Sequence, residues 1–135
     1  MIGILLSCAV TLPVSVESLT EYIQCRNDVY MIEYVKEWQP LVDKYFDTTD
    51  DKIQALKIIY CESRGNKYAK GLNKDGTYDI GLWQFNDNTW TWLKPKLKIK
   101  KKRTDPETAT AVASWLIYND GWHHWNPSAH CWKDT

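Results

Sequence analysis

Two carboxylates in this chain are placed where they could share acid–base work: Glu62, directly after Ile58-Ile59-Tyr60-Cys61, and Asp79, inside Thr77-Tyr78-Asp79-Ile80. Glu62 closes an apolar helical stretch. A carboxyl group partly withdrawn from water there has its charged form penalised, which raises its pKa. The negative end of the helix dipole pushes the same way. Asp79 stands in a polar setting with Thr77 and Asn86 as possible hydrogen-bond partners, which would keep it ionised. A protonated acid facing an ionised one is the pair that glycoside hydrolysis uses: one protonates the leaving oxygen, the other attacks or stabilises the oxocarbenium-like centre. Taken singly, each has a plainer explanation, Glu62 as a solvated helix end and Asp79 as a turn-stabilising aspartate.

The elements that must position them are marked by local signals. Thr48, Thr49 and Asp50 form a capping cluster, and Ile53, Leu56 and Ile59 or Tyr60 recur at helical spacing up to a stop near Gly65. Asn73-Lys74-Asp75-Gly76 is a turn signal, and the strand formers from Thr77 to Ile80 follow it. Gly81 in an apolar run implies close backbone approach or a bulge. The expected arrangement is a helix delivering an acid to a cleft whose other wall is a hairpin. Before it, Ser18 or Thr20 caps a helix running to about Trp38, with Leu19, Ile23, Tyr30, Tyr34 and Val35 on one apolar face. Pro40 interrupts, and a shorter helix covers Leu41 to Phe46. After it, Asp105-Pro106-Glu107-Thr108 starts a helix whose apolar face is Ala109, Val112, Ala113, Leu116 and Ile117, ending at Asp120-Gly121.

The 135 residues, 44% apolar and 25% charged, fit one domain with one core. Eight Trp and eight Tyr are many for that length. Clustered aromatics serve sugar rings as well as cores. The apolar run from Met1 to Leu12 is too short to span a bilayer and suits a secretory signal, so residues 1–18 are expected to be a leader and 19–135 the mature domain, secreted and monomeric; the alternatives are a short apolar helix or strand kept in the mature protein and a lipidated Cys8. Cys8 would leave with that leader. Of the remaining three cysteines the favoured pair is Cys61 with Cys131, closing a loop of about 70 residues worth roughly 4 kcal/mol. Cys25 is then a buried thiol or an intermolecular partner. No cofactor or metal is expected: no Cys-x-x-Cys occurs, and the adjacent His123 and His124 should point apart. Net charge is zero, yet Lys94, Lys96, Lys98, Lys100, Lys101, Lys102 and Arg103 gather seven basic residues in ten. That run is either a solvated face or a contact for an acidic polymer. With no base-stacking motif beside it, a wall surface is preferred to nucleic acid.

Glu62-Ser63, Asn66, Ala69, Asn73, Asp75-Gly76, Asp79, Gly81, Gln84 and Asn86 resemble the active-site stretch of the lysozyme superfamily, most closely its chicken-type branch, without a gap and with the same separation of seventeen residues between the acids. The resemblance implies a mainly helical α+β fold with a small antiparallel hairpin or sheet as one cleft wall. It makes Glu62 the general acid and Asp79 the nucleophile or electrostatic stabiliser. Gln84 and Asn86 match positions that line the sugar cleft and hold the hairpin, and Trp90 a sugar-stacking position, although Thr89 stands where a second aromatic is usual. Trp122 and Trp125 resemble the paired tryptophans that close the cleft, so Trp122 would lie against Glu62, with Trp125 in the core.

The chain departs from chicken-type lysozymes in its few cysteines and neutral charge, and Leu82-Trp83-Gln84-Phe85-Asn86 is also similar to soluble lytic transglycosylases, which work with one Glu and let the sugar's own hydroxyl attack. The expected activity is therefore that of a glycoside hydrolase, a muramidase cutting the β-1,4 bond between N-acetylmuramic acid and N-acetylglucosamine in bacterial peptidoglycan, with chitin-like oligosaccharides as a possible substrate. The alternatives are a lytic transglycosylase using Glu62 alone and a non-catalytic protein that binds an amino-sugar polymer.

Overall fold

The structure is a computed structural model that describes residues 8–10, 12 and 14–134. Four of the helices among the described residues begin where a short polar side chain takes up a free backbone N–H. Ser15 accepts from Ser18 at α1 (Val16–Tyr34), Thr48 from Asp51 at α3 (Thr49–Ser63), Asn86 from Asn88 at α4 (Asp87–Lys96) and Asp105 from Thr108 at α5 (Pro106–Asp120). The last two expected caps, Thr48 and Asp105, are where the sequence puts them. The first is not: Ser15 is the cap, and Ser18 completes a reciprocal capping box from the third helical position. Pro40 opens α2 (Gln39–Tyr45) from its first turn, where no N–H is needed. A final short helix, α6 (Ala129–Trp132), follows a 3₁₀ segment at Trp122–Ser128.

Between α3 and α4 the chain makes three antiparallel strands in the order β1 (Lys70–Leu72), β2 (Tyr78–Ile80), β3 (Phe85–Asn86). The register sets Gly71 opposite Asp79 and Asp79 opposite Asn86. Directly opposed residues share a face of the sheet, so this pairing brings the Asp79 and Asn86 side chains together. Gly81 follows β2 with φ +93°, and a side chain there would collide with the Arg103 carbonyl. The close approach expected of this glycine is thus real, and it pins the basic run against the hairpin. The result is the expected α+β fold.

α3 runs through the core. Ala55, Leu56, Ile58 and Ile59 are wholly buried with Val35, Val42, Trp83, Leu93 and Leu116 around them. Its end is left-handed over two residues, Arg64 as well as Gly65. α1 differs from expectation. Leu19, Ile23, Tyr30 and Tyr34 are exposed, and its buried positions are instead Ser18 in the first turn and Ile32 near the end, with the adjacent Val35. Tyr30 and Tyr34 meet Tyr60 edge-on across the surface instead of entering the core.

Two disulfides are formed. Cys61–Cys131 joins the last turn of α3 to α6, as expected. Cys25 is not free: it is bridged to Cys8, since the segment before α1 folds back along that helix. Half of the expected leader lies outside the described residues, while Val16 and Ser18, just before its expected end, lie in the first turn of α1. A buried Lys57 on α3 gathers Asp28 of α1 at 2.8 Å and Asp134 beyond α6 at 2.7 Å. No helix among the described residues is long and apolar enough to cross a membrane.

Candidate active site

Glu62 sits in the last turn of α3, half-buried, and Asp79 in the middle of β2. Both line one cavity of about 210 Å3, with Trp83, Gln84, Phe85, Asn86, Thr89, Leu116, His124, Trp125 and Pro127. A helix has therefore delivered one acid to a cleft whose opposite wall is the sheet. A larger cavity of about 490 Å3 lies between Tyr45, Leu97 and Trp115 and contains Asp105 and Glu107. Those acids are already engaged, Asp105 as the α5 cap and Glu107 with Lys44 and Tyr45. The free acid–base pair is in the smaller cavity.

Each carboxylate has a distinct environment. Burial pushes Glu62 above the usual carboxylate range. A hydrogen bond from the Ser128 hydroxyl to its Oε1, at 2.5 Å, pulls it partly back, and the negative charge of Asp79 adds to the rise. Ser128 is itself fixed: its hydroxyl lies 3.1 Å from the Trp125 carbonyl, and its oxygen accepts the Trp132 indole N–H at 3.1 Å. Asp79 Oδ1 accepts two amide N–H donors, from Asn73 at 3.0 Å and Asn86 at 2.9 Å. The Thr77 hydroxyl takes a bond from each of the same two amides. Asn86 thus meets Asp79 directly as expected, whereas Thr77 acts one step behind, by orienting the asparagines. One acid is shifted upward by its partly desolvated pocket, and the other is held by two amide donors.

Gln84 reaches the cavity, but its amide donates to the Ala69 and Gly81 carbonyls at 3.0 Å each, bracing the turn in which its own φ is +51°. Its demonstrated contacts hold the hairpin. Two expected sugar-facing aromatics are elsewhere. Trp122 stacks on Phe46 and does not line the cavity with Glu62. Trp125, expected only in the core, takes that place. It is 4% exposed, with its indole N–H on the Trp83 carbonyl at 3.0 Å and its ring edge-on to Trp83 and Phe85. One 3₁₀ turn separates the two, about 6 Å of rise, enough to move the second beneath the cleft. Trp90 is buried against Phe85 and borders a different cavity, beside Lys94 and Lys100 to Arg103. Successive helical residues diverge by about a quarter turn, so Thr89 faces the cleft when Trp90 faces inward.

His123 and His124 do not point apart. Both Nε2 atoms reach Asp120 Oδ2, at 3.1 and 2.6 Å, and the rings lie 4.2 Å centre to centre. The tight 3₁₀ turn after Gly121 curls both imidazoles back over the end of α5. Ser128, Trp125 and His124 are the site residues the sequence does not announce. Asn73 is in the matched motif, but nothing local says that it holds Asp79.

A family model described as the transglycosylase SLT domain matches residues 47–121, just over half of the chain and the whole span from α3 to the end of α5. The chain belongs to this family. The transglycosylase SLT domain is lysozyme-like, and its membership makes the chain a peptidoglycan-cleaving enzyme of that type; the matched span contains the acid-bearing α3 and the hairpin. No curated protein and no solved structure matches the chain. Ser128 and Trp125 lie beyond the SLT stretch, so the partner and the floor of the acid come from the segment that follows it.

Proposed function

We propose that this SLT domain is a muramidase that hydrolyses the β-1,4 bond between N-acetylmuramic acid and N-acetylglucosamine with retention of configuration. The observation that carries this is Asp79, held by two asparagine amides in the cavity that contains the buried Glu62. Protonated Glu62 gives its proton to the glycosidic oxygen as the bond to the anomeric carbon breaks. Asp79 meets the positive charge that develops there, as nucleophile or as electrostatic partner. The ionised Glu62 then takes a proton from water, which attacks the anomeric carbon and restores both acids.

Two disulfides favour an oxidising compartment, hence secretion, and the exposed lysines from Lys94 to Lys102 favour an anionic wall as the surface approached. The second route is lytic transglycosylation, favoured by the family's own description. There the sugar's hydroxyl replaces water and Asp79 has no covalent part.

Mass spectrometry of digested peptidoglycan separates the two. Hydrolysis gives reducing ends, and transglycosylation gives products lighter by one water. Glu62→Gln is expected to lose about 100-fold or more in rate, and Asp79→Asn less. Anhydro products together with near-full activity in Asp79→Asn would reject hydrolysis, and no cleavage by wild type with sugar binding intact would reject both enzymes in favour of a binding protein.

A further inference from the structure

The cluster at the end of α5 carries no step of the reaction above, although His124 borders the same cavity. Asp120 is the last residue of α5. Gly121, at φ +94°, turns the chain so that His123 and His124 come back over the Asp120 carboxylate. One ligand atom from each of the three lies within 4.8 Å of the other two. Two imidazole nitrogens and one carboxylate oxygen are a donor set for a borderline divalent cation such as Zn2+, which sits about 2.0–2.2 Å from each ligand. Donors at such distances around a tetrahedral ion stand about 3.3–3.6 Å from each other, so the two rings, now 3.1 and 2.6 Å from Asp120, take up an ion by withdrawing from the carboxylate by less than about 1 Å.

Access and position support the same conclusion. The His123 and Asp120 side chains are 56% and 54% exposed, so an ion enters from solvent without unfolding anything. His124 is more covered, at 24%, because its other side borders the substrate cavity and its ring meets Trp125 edge-on. An ion held here therefore lies on the rim of the cleft, and its fourth position remains for water or an external anion.

We propose that Asp120, His123 and His124 form a binding site for a borderline divalent cation of the Zn2+ class on the rim of the cleft. The test is calorimetric titration of the full, disulfide-intact chain with ZnCl2, beside His123→Gln, Asp120→Asn and, as a control, His130→Gln, an exposed histidine outside the cluster. One ion per chain is expected, with affinity lowered at least tenfold in His123→Gln and Asp120→Asn and unchanged in His130→Gln. Near-ultraviolet circular dichroism establishes that each variant keeps its tryptophan packing. Absence of binding up to millimolar Zn2+, equal binding by folded His123→Gln, or loss of binding in His130→Gln would each overturn the assignment.

Discussion

Breaking the Cys61–Cys131 bridge should cost this enzyme stability and activity together. The bridge spans 70 residues of sequence. A loop of that length, on the chain-entropy relation, restricts the unfolded state by about 4 kcal/mol at 25 °C. Domain stabilities are roughly 5–15 kcal/mol, so the Cys61→Ala, Cys131→Ala double variant loses a large part of its margin. With a urea slope of about 2 kcal/mol per molar, the midpoint falls by about 2 M. Activity falls as well, for a local reason. Cys61 is next to Glu62, and Cys131 is next to Trp132, whose indole holds the Ser128 hydroxyl on the Glu62 carboxylate. The Cys8–Cys25 bridge is the internal comparison. It spans 17 residues, worth about 3 kcal/mol on the same relation, and touches nothing in the cleft. Cys8→Ala, Cys25→Ala should therefore lose stability but keep its rate in conditions where it is folded. Urea unfolding followed by tryptophan fluorescence, with wall-clearing rates measured well below each midpoint, gives both quantities. A loss under about 1 kcal/mol, or equal activities in the two double variants, would refute the coupling of bridge to acid.

Ser128→Ala removes the hydrogen bond that favours ionised Glu62, so the alkaline limb of the pH–rate profile should move to higher pH, while the optimum rate falls roughly tenfold for the loss of about 1–1.5 kcal/mol of positioning. A limb that stays or moves to lower pH contradicts the assignment. Because Glu62 binds its proton more tightly folded than unfolded, its ionisation costs stability as pH rises past the usual carboxylate range and through the raised folded value. Glu62→Gln should accordingly melt higher than wild type at neutral pH and lose that advantage in acid, which calorimetry at two pH values checks. Lys57→Met leaves Asp28, covered by α1 and α3, without its cation, at a cost of about 3 kcal/mol. Adding Asp28→Asn should recover part of it, and a double variant no better than the single one would argue against the pair.

What could be read in advance depended on how local each signal is. Thr48, Asp105 and the Asn73–Gly76 turn act on backbone a few residues away, so their chemistry is written beside them. Glu62 and Asp79 are seventeen residues apart, but each lies in a recognisable element, and the strand register does the rest. Ser128 is 66 residues from the carboxylate it holds, and a serine in a 3₁₀ segment carries no mark of that duty. The tryptophans fail for the same reason. Whether Trp90, Trp122 or Trp125 meets the cleft is decided by one turn of helix and by Phe46, Phe85 and Trp83 as neighbours, none of which is visible in a spacing. The apolar face expected of α1 lies outward because apolar residues at helical intervals need a partner surface, and α3 meets the helix elsewhere, through Asp28 and Ile32.

The hydroxyl on Glu62 also sets an order in biosynthesis. The acid, its helix and the whole hairpin are synthesised before residues 125–132 exist. Until then Glu62 lacks both the Ser128 hydroxyl on its Oε1 and the Trp125 ring in its cavity. A nascent chain therefore carries every motif of a wall-cleaving enzyme before its acid has a positioning partner, and the site is complete only when the later segment folds over it.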